Sequence, residues 1–276
     1  IVESRSTTTV SAIQGKVAGV DIIKSSNKPG GGFDIKVRGV STFGGNTSPL
    51  YVVDGIVVDN INDINPEDIK KIDILKDASS SAIYGSRGAN GVVIVTTNGG
   101  SEGKTVVDYN GYVGVKMAYN LPDIMNSDEF VQFAMDAQVG KGDTDPQLSD
   151  QFGADEIANI NNGVSTNWPE LLTQSGIQTN HNISISGGSN GHIFSYGVSV
   201  LSEEGVVGEE QYDRYTIKSS NEKKINNVLS FGVKNNMSYS IQNLGSNEAF
   251  RSAYRLRPTG SPYDSDGELQ LIATTK

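Results

Sequence analysis

The chain carries two rhythms of apolar and polar positions. From residue 6 to 97 short apolar runs are interleaved with segments of helical spacing, whereas from Gly103 onward long stretches alternate one by one. In the first region "VDII", "FDIKVRG" and "LYVV" read as strands, and Asp54-Gly55 between "YVV" and "IVV" is a two-residue hairpin signal. "TTTVSAIQGKVAG" places threonine caps before Val10, Ile13 and Val17 at helical spacing, with Gly15 and Gly19 limiting its length, so a short helix is expected there. In "NPEDIKK", Asn65 as N-cap, Pro66 at the first helical position and acids behind it form a second helix start. "IDIL" returns to strand, Asp77 can cap "ASSSAIY", Gly85 can stop it, and "GVVIVTT" reads as a buried strand. The expectation is a compact α+β unit over residues 1–100.

The second rhythm has period two. In "TVVDYNGYVGVKM", Val107, Tyr109, Val113, Val115 and Met117 share one side, and Asp108, Asn110, Gly114 and Lys116 the other. "VLSFGVKNNMSYSI" repeats this with Leu229, Phe231, Val233, Met237, Tyr239 and Ile241 on one face. "NHNISISGGSNGHIFSYGVSVL" supplies two more segments around a turn read as Gly187 to Gly191, with Phe194, Tyr196, Val198 and Val200 on one face, and "YDRYTIKSS" supplies another. Strands of soluble proteins run about 5–6 residues, whereas a tilted membrane β-strand needs roughly 9–11, apolar outward and polar inward. Short turns alternate with long loops, as in outer-membrane barrels. One connection, 120–178, is long enough to be functional, and a helix is expected in it with Ser127 as N-cap through "DEFVQFAMDA". Residues 101–276 thus read as the start of a transmembrane β-barrel.

Composition narrows the classes. The 32 glycines and 11 tyrosines against 8 prolines suit a β-rich chain of 276 residues. A net charge of −10 and the lack of any basic face with interleaved aromatics argue against nucleic-acid binding. Zero cysteines exclude disulfides, thiolate metal sites and cysteine nucleophiles. No run approaches the roughly 20 apolar residues of a spanning helix, so any membrane crossing must be made by strands. The N-terminus lacks the basic start and apolar stretch of a signal peptide.

Several short motifs fail on context. "NGGSEGKT" ends like a phosphate loop, but Asn98 holds the position of its first glycine, and a strand instead of a helix follows the lysine. It reads as a linker between two β elements. Gly187-Gly188-Ser189-Asn190-Gly191 matches a nucleophile elbow on paper, yet strands flank it on both sides, which makes it a hairpin turn. His181 and His192 flank that hairpin and could face each other, but no acid or cysteine stands at ligand spacing, so no metal site is expected. "DSDGE", 264–268, lacks the later bidentate glutamate of a calcium loop. "YGSRGANG" precedes a strand where a dinucleotide fingerprint would precede a helix, so it reads as close backbone packing with one purposeful charge, Arg87. No acid/base pair or nucleophile stands out, so neither catalysis nor a cofactor is expected.

"GGGFDIKVRG", "LYVVDGIVVDN" and "INPEDIKKIDILKDASSSAIYGSRGANGVVIVTT" together resemble the plug domain of SusC/RagA-like TonB-dependent outer-membrane transporters. "NWPELLTQSGIQTNHNISISGG" and "GVVGEEQYDRYTIK" resemble the first barrel strands of the same family. The resemblance implies a plug inside a barrel of roughly 22 strands, of which this chain holds about five. It implies TonB-energised import of a glycan or peptide across the bacterial outer membrane. It also implies a SusD-like surface lipoprotein, TonB, outer-membrane lipid and the remainder of the barrel as partners. Arg38 and Arg87 match plug arginines that pair with barrel carboxylates. In a plug, Phe43, Gly44, Gly45 and Asn46, in the loop after the Arg38-Gly39 strand, are expected to face the substrate, with the Phe43 ring for stacking and the Asn46 amide for hydrogen bonds. The alternative from another class is a secreted or surface β-rich adhesin, which would also explain acidity, tyrosines and long loops. The chain is expected to be one piece of a longer protein.

Overall fold

The computed structural model describes residues 10, 14–15, 19–37, 48–263 and 267–269. Most of the helix expected before Gly19, the residue Arg38, the loop Phe43 to Asn46 and Asp264 to Asp266 lie outside them. Among the described residues contacts divide the chain into two compact units. The first comprises 1–115, 177–204 and 210–243, and the second 116–176, 205–209 and 244–276.

The first unit holds three sheets. Strands β1 (Val20–Lys24) and β2 (Phe33–Val37) form an antiparallel pair. Strands β3 (Leu50–Val53), β4 (Ile56–Val58), β5 (Ile69–Leu75) and β6 (Val92–Thr97) form a sheet in the order β4-β3-β6-β5, with β3 and β6 parallel. The β3–β4 turn is the expected one, with Asp54 and Gly55 both at positive φ, as a two-residue hairpin of this twist requires. Val92, Val93 and Val95 are fully buried, and Val93 and Val95 pack in one cluster with Ile22, Ile35, Val37, Ile61 and Ile69. Burying each such side chain contributes about 1.5–3 kcal/mol, so this small core holds the two sheets together.

The helix expected at "NPEDIKK" is a single 3-10 turn, Pro66–Asp68. Asn65 caps it as expected, accepting from the Glu67 amide at 3.1 Å, but Ile69 is already extended. Behind the cap Ile72 and Ile74 alternate, a register shift between Ile69 and Lys71 brings Ile69 into the same strand, and burial in the sheet outweighs the helix signal. Asp77 stands at the N-cap of the turn Ala78–Ser81 without a side-chain cap bond, and Gly85, at φ 61°, breaks the helical run through Gly88.

The remaining strands are β7 (Gly103–Lys116), β8 (Gly176–Ser189), β9 (His192–Glu204), β10 (Gln211–Lys224) and β11 (Ser230–Asn243), ordered β11-β10-β9-β8-β7. The turn between β8 and β9 is tighter than expected. Ser189 pairs with His192, so only Asn190 and Gly191 turn, both at positive φ. Gly187 and Gly188 belong to the strand. A Cβ on Gly188 would sit 3.0 Å from the Ser101 carbonyl, and one on Gly100 would collide with the Phe194 backbone, so the linker from β6 lies directly on this hairpin. The same register separates the two histidines: His181 pairs with Val200, and instead of facing His192 it lies beside Tyr109, whose hydroxyl is 2.8 Å from Nδ1.

This sheet is inside out for a water-soluble protein. On β10 the buried residues are Tyr212, Arg214, Thr216, Lys218 and Ser220, while Ile217 is 59% exposed. On β8 Asn180 and Asn182 are buried and Ile183 is exposed, and on β9 Ser195 and Ser199 are buried and Val198 is exposed. Such an arrangement costs apolar burial strand after strand in water, and it is the pattern of a barrel wall with lipid outside.

The second unit holds helices α1 (Ser127–Gly140), α2 (Ala154–Asn161) and α3 (Asn247–Ala253), with shorter turns between. The cap of α1 lies one residue earlier than expected: Asn126 accepts from the Glu129 amide and Glu129 returns a bond to the Asn126 amide, each 3.0 Å. Its interior is organised around buried Glu156, which accepts from Thr259 at 2.9 Å and meets Arg257 at 3.3 Å. Trp168 donates to the Arg257 carbonyl at 2.9 Å.

Candidate functional site

The polar face of the wall meets the plug along a seam inside the first unit, and long-range side-chain bonds define it. Strand β10 supplies two cations. A strand of period two puts Arg214 and Lys218, four residues apart, on one face, and both are buried. Arg214 Nη1 donates to the Asn62 carbonyl at 2.8 Å. Lys218 Nζ lies 3.5 Å from both Asp68 Oδ1 and the Asp68 carbonyl. Asp68 is positioned by the 3-10 turn that Asn65 caps, and its carbonyl also accepts from the Asn98 amide at 2.7 Å.

From β11, Lys234 Nζ stands 3.5 Å from Asp54 Oδ1 at the tip of the β3–β4 hairpin, and Gln242 Nε2 donates to the Pro29 carbonyl at 2.7 Å. The plug reciprocates: Lys28 Nζ meets Glu210 Oε1 at 3.1 Å. Beside this contact Gly30, at φ 67°, lies flat on the Tyr212 ring, where any Cβ would strike the aromatic carbons.

The two plug carboxylates titrate in opposite directions. Burial dominates at Asp68 and pushes its pKa up, with Lys218 and then Arg214 pulling back without cancelling it. At Asp54 burial also opposes the charge, but the Thr97 hydroxyl at 2.6 Å, the Thr97 amide at 3.0 Å and Lys234 together outweigh it and hold the pKa below its usual value. Between the ion pairs lies a cavity of ≈ 560 Å³ bordered by the hairpin, Asp68, Lys218 and Lys234. The contacts across the seam are polar and individually modest, apart from the buried Lys218–Asp68 pair, with side chains 7% and 11% exposed.

The site residues named from sequence do not build this seam. Arg38, Phe43, Gly44, Gly45 and Asn46 lie outside the described residues. Arg87 is exposed on the turn before β6 and borders a plug cleft that also holds Asp34 and Asp59; among the described residues no wall carboxylate pairs with it. The residues that do meet across the seam went unnamed. Asp68 reads in sequence as a first-turn acid complementing a helix dipole. Arg214 and Lys218 carried a usable signal: same parity, on the polar side of an alternating strand.

A family model described as "TonB-dependent Receptor Plug Domain" matches residues 1–92. TonB-dependent receptor P39 of Formosa agariphila is 36% identical over 259 residues, covering 92% of this chain and 24% of that protein. TonB-dependent receptor SusC of Bacteroides thetaiotaomicron is 31% identical over 214 residues, covering 74% and 20%. The structure of the RagAB peptide importer in its closed-closed state matches with a TM-score of 0.82 at 23% identity, over 98% of this chain and 34% of that one. The chain thus spans about a quarter of the length of these curated relatives.

Proposed function

The chain belongs to the SusC/RagA-like TonB-dependent transporters, and from that premise we propose that it gates and begins the wall of an importer carrying a nutrient across the bacterial outer membrane. The observation that carries this reading is the inverted wall: lipid-suited side chains face outward while Arg214, Lys218 and Lys234 turn toward the plug. A surface adhesin would account for acidity and tyrosines, but not for a folded unit held against the polar face of such a sheet. Among the described residues both edge strands, β7 and β11, lack a further neighbour, and unpaired backbone groups in hydrocarbon cost several kcal/mol each. Further strands of the same protein close the wall.

In this reading residues 1–100 are the plug and 101–276 the first part of the barrel, joined on the periplasmic side by the linker at Gly99 to Gly103. TonB supplies the pull, a SusD-like lipoprotein covers the outer mouth, and the cargo is a glycan or a peptide. Arg38 and Arg87 lock the plug to wall carboxylates elsewhere in the barrel, and Phe43 to Asn46 face the cargo. A seam of modest polar contacts seals at rest and yields under force, which an apolar core does not.

The test is single-channel conductance of the full-length transporter in planar bilayers. Deleting residues 1–100 is expected to leave a constitutively open pore where the intact protein is closed. A plug-less protein that stays closed would sink the gating reading. An Arg38→Ala/Arg87→Ala double variant is expected to leak at rest, and normal impermeability would remove those two residues from the lock.

A further inference from the structure

The outward face of the wall carries polar chemistry of its own at the end where the linker lies on the β8–β9 hairpin. Cross-strand pairing sets Ser189, His192, Lys223 and Phe231 side by side there, all with the outward parity of Ile217. Lys223 Nζ donates to the Asn190 carbonyl at 2.9 Å, and an ammonium has further protons for a second acceptor. Among the described residues no carboxylate pairs with it, and Glu222 beside it has the opposite parity. One strand repeat further from the rim stands Asn221, on the same face. Its Oδ1 accepts from the Tyr196 hydroxyl at 2.7 Å, which leaves its amino group without an acceptor among the described residues. The next polar residue along, Ser219, is already engaged by Asn235 at 3.3 Å. Beside Asn221 the Phe194 ring lies toward β8, where a Cβ on Gly187 would come within 3.3 Å of its tip, and it joins His192 to Tyr196 in a row of rings with centroids 6.0 and 5.8 Å apart.

We infer that this edge of the wall binds one glycerophospholipid of the leaflet on the linker side, with its phosphate on Lys223 and His192, an ester carbonyl on the amino group of Asn221, and its chains over Phe194 and Val233. The inference rests on the import reading, which puts this face in lipid and this end at the periplasm. Height fixes the level. On β10 the outward charges are Lys223 and Asp213, roughly 33 Å apart along a strand that rises about 3.3 Å per residue. A tilt of about 40° reduces this to roughly 25 Å, the height of a barrel's apolar band, so Lys223 stands at a headgroup boundary and Asn221 at the depth of the esters just inside it. An amide donor facing hydrocarbon is costly unless it finds an acceptor, and at that depth the lipid's own carbonyls supply one. Charge fixes the leaflet. The opposite end turns Asp213 and, on β9, Glu204 outward, and these repel a phosphate that Lys223 attracts. The row of rings beside Lys223 is the aromatic belt that belongs at the same level.

The experiment is photo-crosslinking of the full-length transporter with p-benzoylphenylalanine in place of Val233, an outward residue paired with Asn221. The protein is held in phosphatidylcholine nanodiscs that carry equal minor shares of phosphatidylglycerol, its dialkyl-ether analogue and diacylglycerol, and the attached lipid is identified by mass spectrometry. Phosphatidylglycerol is expected to be captured about 5-fold over diacylglycerol, the worth of one lysine at a membrane surface. Lys223→Gln is expected to abolish that preference, Lys223→Arg to keep it, and Lys224→Gln, on the inward side, to leave it unchanged, with heat-modifiable migration intact in all three. Asn221→Val is expected to remove the preference for the ester over the ether lipid. Equal capture of phosphatidylglycerol and diacylglycerol, or a preference that survives Lys223→Gln, overturns the site and leaves the wall in lipid. Adducts to protein alone mean that another chain covers this edge, and they overturn it too. No adduct at all removes the lipid-facing wall itself, and the import reading with it.

Discussion

The two main sheets of the first unit are built from similar residues and bury opposite faces. In the plug sheet Val92, Val93 and Val95 are inside. In the wall Val198, Ile183 and Ile217 are outside while Asn182, Ser199 and Lys218 are inside. Valine and isoleucine obey the same physics in both places; the surroundings differ. A short strand in water must hide its apolar side chains within the protein, whereas a long strand bordering lipid hides them in the membrane and keeps its hydrogen-bonding side chains for the interior. The seam is where the two solutions meet. Its cations therefore come mostly from the wall, whose buried face is the polar one.

The sharpest way to break this contrast is to remove the buried cation that pairs with Asp68. Lys218→Ala leaves Asp68 buried and unpaired and is expected to cost about 3–5 kcal/mol of plug docking, measured as loss of heat-modifiable folding or as resting leak. Lys218→Met with Asp68→Asn is expected to recover most of it, since two neutral side chains carry no such penalty. Next in size, Ile217→Lys places a charge on the outward face of the same strand and is expected to cost about 2–4 kcal/mol of barrel stability by denaturant titration in lipid. The same substitution with little effect would mean that this face does not meet hydrocarbon. Smaller again is Lys234→Ala, whose side chain is 50% exposed: its pair with Asp54 is expected to contribute about 0–1 kcal/mol, with a clear salt dependence.

The smallest effect separates the two plug carboxylates by sign. Asp54 has a lowered folded pKa, so its stabilisation is present above its unfolded value of about 3.9 and is lost as pH falls through the folded one. Asp68 has a raised pKa, so its contribution is largest in acid and is lost as pH rises through the folded value. Asp54→Asn is thus expected to flatten the loss of stability on acidification. A steeper loss in that variant would reverse the assignment.

How much of this was legible depended on range. The hairpin at Asp54-Gly55, the Asn65 cap and the alternation of β10 are local patterns, and each is present. The local pattern overreached at "NPEDIKK", where a correct cap was followed by a strand, and at Gly187 to Gly191, where only two of five turn-like residues turn. It also misplaced the histidines, because residues of a hairpin pair at equal distances from the turn and His181 stands farther from it than His192.

Sequence by itself determined which residues form strands, which face of each strand is apolar, and that the long strands suit a membrane, because period two, strand length and turn chemistry act between near neighbours. Only the tertiary structure decided what the polar faces touch. Arg214 reaches Asn62 across 152 positions and Lys218 reaches Asp68 across 150. Alternation states that a side chain points inward, but the partner it finds there depends on where another domain's loop is held in space, and no local periodicity encodes that distance.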